Sequence, residues 1–102
     1  MIYVIATVEL IEGKRDLYIE EFNKIIPMVR AEKGCLEYGP TVDVATGIPV
    51  QEPINENAIT IIERWSDVDA LKVHLTAPHM KSYQKAVKDY VKLVRIRVLA
   101  PL

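Results

Sequence analysis

The order of strands and helices legible in the chain, β-α-β-β-α-β, predicts an α+β domain: a four-stranded antiparallel sheet with its helices gathered on one face. Three observations predict it. Runs rich in β-branched residues recur at both ends and in the middle of the chain, as strands do. Two intervening stretches space their apolar residues by three and four, as helices do. Glycine or proline punctuates the junctions, at Gly13, Gly34, Gly47 and Pro78. The 102 residues suffice for one domain, residues 1–102, with one core.

Residues Ile2 to Ile11 form the first strand, with Ile2, Val4, Ala6, Val8 and Leu10 on one face and Tyr3, Ile5, Thr7, Glu9 and Ile11 on the other. Both faces are mainly apolar, so both need cover. A helix follows from about Arg15 to Glu32, with Leu17, Tyr18, Phe22, Ile25, Ile26 and Val29 as its stripe. Pro27 removes a donor inside it and predicts a kink. Lys33-Gly34 ends it. Cys35 to Thr46 reads as the second strand, and Gly39-Pro40 inside it predicts a bulge or an edge position. Gly47 to Glu56 is a loop, either a solvated excursion or a flap over a pocket.

Asn57 to Trp65 is the third strand, with Asn57, Ile59, Ile61, Glu63 and Trp65 on one face. Ser66 or Asp67 caps the next helix, whose stripe is Val68, Leu71 and Leu75, with His74 bordering it. Thr76-Ala77-Pro78 breaks that helix and starts another, with Pro78 at its first position and Met80, Tyr83, Val87, Tyr90 and Val91 turned inward. Lys92 to Ala100 closes the chain as a strand. This is the ferredoxin-like plan with its second helix split. A homodimer packing sheet face to sheet face would cover the remaining apolar face and account for a hydrophobic content, 50%, that is high for so small a domain.

Composition excludes several function classes. The net charge is −1 and no basic block exists, so nucleic acid is not an expected partner. The single cysteine, Cys35, rules out an intrachain disulfide and reads as a small core residue. The apolar amino terminus has no basic lead and carries Glu9, unlike a signal peptide. No run of about 18 apolar residues is present to span a membrane, so a cytoplasmic protein is expected.

The rare residues gather between Asn57 and Tyr83, which holds the only Trp and both His. His74 and His79 are five apart across a proline, without the spacing or companions of a metal site, so no metal is expected. No dinucleotide fingerprint, phosphate loop or nucleophile elbow occurs. Trp65 reads as a core aromatic, Asn57 as a turn residue at a strand start, and Glu63 as a strand-end charge or pocket group. His74 is the best candidate for chemistry, because imidazole exchanges protons near neutrality. Its spacing fits a half-buried structural residue equally well.

Several blocks resemble the antibiotic biosynthesis monooxygenase domain, and within it the small stand-alone quinol monooxygenases. They are Gly34-Cys35-Leu36-x-Tyr38, then Asn57, then Glu63-x-Trp65-x-Asp67-x-x-Ala70-Leu71-x-x-His74, then Ala77-Pro78-His79-Met80. The resemblance implies a dimeric α+β barrel that oxygenates an aromatic quinol or phenol with dioxygen and no cofactor. It implies Asn57 and Trp65 as hydrogen-bonding partners of the substrate oxygens and His74 as base or pocket wall. Tyr83 would close the cavity, with Glu63, His79 and Met80 as further substrate contacts. Haem-degrading members carry a first-strand Asn where this chain has Ala6 and Thr7, and a ligating His where it has Tyr83 or Gln84, which sets haem degradation aside. An isomerase branch acting on a phosphorylated hydroxy-dione shares a His-x-x-x-Pro-His block with His74 to His79, and would need a cationic site from Arg64, Arg95 or Lys81. A non-catalytic dimer binding a small ligand is the third reading.

Overall fold

β1 (Ile2–Leu10) is the axis of the sheet. It pairs antiparallel on one side with β3 (Ala58–Trp65), placing Val4 opposite Glu63 and Ala6 opposite Ile61. On the other side it pairs with β4 (Val91–Leu99), placing Ala6 opposite Ile96. β2 (Cys35–Thr41) completes the order β2-β3-β1-β4. The computed structural model describes residues 1–102. Its helices are α1 (Arg15–Arg30), α2 (Val68–Leu75) and α3 (Pro78–Val87), so the ferredoxin-like plan with a split second helix is the fold.

The two-residue period of β1 buries Ile2, Val4, Ala6, Val8 and Leu10 against the helices. α1 answers with Tyr18, Phe22, Ile25 and Val29, spaced four, three and four. Leu17 falls outside this stripe and is exposed. The helix runs through Pro27 and ends at Arg30, two residues before the expected Glu32. That early end has a consequence, since it leaves Glu32 in the turn, where its side chain bends back beneath the helix layer. Gly34 completes the turn with φ +85, a conformation that favours glycine. A Cβ there would meet Ser66 Oγ at 2.6 Å and Ala70 Cβ at 2.7 Å, so this turn seats directly on the start of α2.

β2 is an edge strand, as Pro40 requires. Its irregularity lies between Cys35 and Glu37, and the strand stops at Thr41, five residues short of the expected Thr46. The reason is pairing. β3 begins at Ala58 and Thr41 already faces Thr60, so residues near Val44 would have no strand to pair with. The following segment is held by its own polar contacts, including Gln51 Nε2 to the Val44 carbonyl at 2.7 Å and the Asn55 amide to Asp43 Oδ2 at 2.8 Å.

Asp67 caps α2 by accepting the Ala70 amide at 2.7 Å. Pro78 then opens α3 after a two-residue break. Buried residues from these helices are Leu71, His74, Met80 and Val87. On the opposite face of the sheet no helix packs. The ion pairs Arg64–Glu37 and Arg95–Glu9 lie there, beside the half-exposed Tyr3. No helix is long and apolar enough to cross a membrane.

Candidate functional site

Ala6 is the smallest residue on the helix-facing side of β1, and its neighbours across the sheet are Ile61 and Ile96. Space is left above it, roofed by α2 and α3. The resulting cavity is about 490 Å³ and is lined by 15 residues, 11 of them hydrophobic. That volume suits a small organic molecule, for which sites of roughly 300–1,000 Å³ are usual. Four lining groups carry chemistry: Glu63 from β3, His74 from α2, Tyr83 from α3 and Tyr38 from β2. Val94 and Ile96 form the β4 wall and stay about half exposed, so a single chain leaves the cavity open along β4.

His74 is 2% exposed. Its ring lies 4.7 Å from that of Trp65 and 5.5 Å from that of Tyr38, centroid to centroid. Its Nδ1 is 2.8 Å from Glu32 Oε2. A carboxylate only accepts, so Nδ1 carries the proton and donates. Nε2, engaged by no protein group, is the nitrogen left to act on a ligand.

Glu63 is the second buried polar residue of the core. Its Oε1 accepts the Trp65 indole N–H at 2.8 Å, and its other oxygen has no protein partner. Burial pushes this carboxyl up to about 7, further aided by the negative Glu32 nearby, while the indole hydrogen bond pulls the other way. A carboxyl so placed can donate or accept a proton at neutral pH. Burial also pushes the Tyr83 phenol up to about 12 and holds Tyr18 and Tyr38 well above the ordinary tyrosine range. Tyr83 and Tyr18 share a hydrogen bond between their hydroxyls. All three phenols are therefore neutral, and the cavity presents aromatic surface with two proton-exchanging groups at its β3–α2 end.

The structure sorts the expected site residues into two groups. His74, Glu63, Tyr83 and Met80 line the cavity. Trp65 does not. It is fully buried behind His74, and its one donor is committed to Glu63, so it braces the site rather than reaching a substrate oxygen. Asn57 stands at the far end of β3, about 20 Å along the strand from Glu63. Its amide is tied to Asn55 Oδ1 at 2.9 Å. It edges a polar, open depression of about 570 Å³ shared with Arg15, Asp43 and Glu56. Asn57 is thus a turn residue at the strand start, removed from the cavity by strand length. His79 also points away from the cavity, and its Nε2 reaches Glu32 Oε2 at 2.8 Å.

The ligand atoms of Glu32, His74 and His79 lie within 4.8 Å of one another, the one grouping close enough to share a metal ion. Both histidine nitrogens lie 2.8 Å from the same oxygen, Glu32 Oε2, within hydrogen-bonding distance. The cations offered for a phosphate site are not assembled here: Arg64 and Arg95 lie on the other sheet face in ion pairs, and Lys81 does not line the cavity. Lys88, exposed at the rim, is the only cation among the lining residues.

The family model for antibiotic biosynthesis monooxygenases matches residues 1–86. This chain belongs to the antibiotic biosynthesis monooxygenase family. It is 40% identical over 103 residues to the Escherichia coli K12 protein named "Probable quinol monooxygenase YgiN", covering 99% of this chain and 98% of that one. A protein of known structure from Pseudomonas aeruginosa superposes with a TM-score of 0.81 at 25% identity, covering 99% of this chain and 93% of the other. A solved antibiotic biosynthesis monooxygenase superposes at 0.81 with 20% identity over 100% and 99% of the two chains, a likeness of fold alone. Within this family frame, sequence reasoning missed Glu32 and Tyr18. Nothing local marks Glu32, a charged residue near a helix end, as turned inward. Tyr18 was visible as a core aromatic, but its tie to Tyr83 spans 65 residues.

Proposed function

We propose that this protein is a monooxygenase that uses dioxygen to oxidise an aromatic quinol or phenol, without flavin, haem or metal. The observation that carries the reading is the apolar, aromatic-walled cavity in which a buried His74 offers a free Nε2 and Glu63 lies at the same end. Such a cavity binds a flat, uncharged ring and excludes water from it. Nε2 takes a proton from the substrate hydroxyl, and the electron-rich anion gives its electrons to dioxygen, forming a carbon–oxygen bond. The peroxide so formed takes a proton at its outer oxygen, the O–O bond breaks, water leaves and the ring carbon becomes a carbonyl. The balance is substrate plus O2 giving quinone plus water, with all four electrons from the substrate. Glu63, in its neutral form, donates to a second substrate oxygen.

The isomerase reading lacks support, because a phosphorylated substrate needs cations that this cavity does not collect. A homodimer is part of the proposal. The apolar Val94, Ile96 and Val98 on the helix side of β4 are exposed in one chain, and a second copy lying over them would close the open wall of the cavity.

The test is oxygen consumption with a panel of quinols, comparing wild type with His74→Ala. Turnover on at least one quinol, lowered about 100-fold or more in the variant, is expected. No turnover on any quinol by the folded wild type would sink the monooxygenase. Sedimentation at micromolar concentration checks the dimer, and a monomer of 11.6 kDa alone would refute it.

A further inference from the structure

Glu32 lies outside the cavity, and the reaction proposed above assigns it nothing. One of its oxygens, Oε2, is 2.8 Å from Nδ1 of His74 and 2.8 Å from Nε2 of His79. Its side chain is only 12% exposed, His74 is 2% exposed and His79 16%. The chain makes some effort to build this arrangement. α1 ends early enough to let Glu32 turn inward, and the Pro78 break lets two histidines five apart converge on one oxygen, which a single straight helix would not allow. A carboxylate held by two imidazole donors is fixed in rotamer and has a preferred proton arrangement: both partner nitrogens carry hydrogen.

We propose that Glu32 and His79 are positioning residues that lock His74 in the tautomer with Nδ1 protonated and Nε2 bare toward the cavity. Neutral imidazole in water prefers neither ring position strongly, and only the bare nitrogen can serve as a base. Glu32 makes the choice for His74. His79, the more exposed partner, pins Glu32 against swinging out to solvent. The functional meaning rests on the monooxygenase reading, whereas the tautomer does not and can be read with no substrate present. Glu63 and Trp65 on β3, Tyr38 and Cys35 on β2 and Tyr83 on α3 also lie near this cluster, and none of them hydrogen-bonds His74 Nδ1.

The test is long-range proton–nitrogen NMR of the full-length protein with 15N-labelled histidine at pH 7.5, on wild type, Glu32→Leu, His79→Ala and His79→Gln. In wild type, His74 is expected in the Nδ1–H form and His79 in the Nε2–H form. Glu32→Leu, which removes the acceptor, and His79→Ala should give His74 a mixture of tautomers, and His79→Gln, which keeps a donor for Glu32, should restore the single form. On an active quinol, Glu32→Leu and His79→Ala should lower kcat about tenfold or more with KM changed less than threefold. His79→Gln should stay within about threefold of wild type. His74 in the Nε2–H or doubly protonated form in wild type overturns the proposal, as does a tautomer unchanged in Glu32→Leu. Stoichiometric zinc binding to wild type, abolished in His79→Ala, also overturns it by showing a metal site. Absence of quinol turnover with the tautomer pattern intact leaves this proposal standing and removes the monooxygenase.

Discussion

Replacing Glu63 by Gln tests the electrostatics of the cavity without disturbing its shape. The amide keeps an oxygen to accept the Trp65 indole N–H, now 2.8 Å from Glu63 Oε1. Glu63 is 4% exposed, and burial is the main cause that lifts its carboxyl from 4.5 to about 7. At about 1.4 kcal/mol per pH unit, that rise corresponds to about 3 kcal/mol. The sign follows from proton binding. Between 4.5 and about 7 the folded protein holds the proton and the unfolded chain has released it, so stability falls as pH rises through this window. Below it the neutral acid costs nothing extra; above it the folded protein carries a buried charge. Urea unfolding of wild type and Glu63→Gln at pH 5 and pH 8 separates this effect from every other titrating group, because the others are common to both. The two proteins should agree within about 1 kcal/mol at pH 5, and the variant should be about 3 kcal/mol more stable at pH 8. A difference that does not change with pH would refute the reasoning. So would a variant less stable at pH 8, which would mean that the carboxylate is well solvated through the open β4 wall. Trp65→Phe provides an internal check: it removes the one hydrogen bond that favours the ionised form, so the titration of Glu63, followed by carboxyl NMR, should move upward.

Two further substitutions probe the frame around the site. Gly34→Ala forces a side chain into a positive-φ turn and against Ser66 and Ala70, and should destabilise by about 3 kcal/mol in urea; a loss under about 1 kcal/mol would show that the turn yields easily. Tyr83→Phe leaves the fully buried Tyr18 hydroxyl without its partner and should cost about 1–3 kcal/mol, with most of it recovered in the Tyr18→Phe/Tyr83→Phe double variant. Simple addition of the two single losses in thermal or chemical unfolding would show that the hydroxyls are not coupled.

How much of this was legible beforehand depended on how local the cause was. β1, β3 and α1 announce themselves by period, because each buries one face against a partner that the same period fixes. The split at Pro78 and the cap at Asp67 are written in single residues. The end of β2 was not legible, since Val42 and Val44 alternate as a strand would, and only the starting point of β3, set elsewhere, leaves Val44 without a partner. The site divides in the same manner. His74, Glu63, Met80 and Tyr83 follow from face assignments within β3, α2 and α3, and all four line one cavity. Asn57 shares a face with Glu63 by parity, but parity carries no information about distance along a strand.

Glu32 marks the deeper boundary. Its position is decided by the termination of α1 and the close approach permitted by Gly34, and its partners arrive 42 and 47 residues later. A buried acid with two histidine donors has no periodic signature, because each contact joins a different element. The pairing between Glu63 and Trp65 is local, two residues apart on one strand, yet it matters only because the strand end is sealed beneath α2. Both carboxylates weaken the fold if either loses its donors, since a buried charge without partners is costly. Keeping two of them beside one imidazole makes little sense for a domain selected on stability alone. It makes sense for a cavity that must hold one nitrogen bare and one carboxyl poised near neutrality, and the pH-dependent stability gain expected of Glu63→Gln measures what the second demand costs the fold.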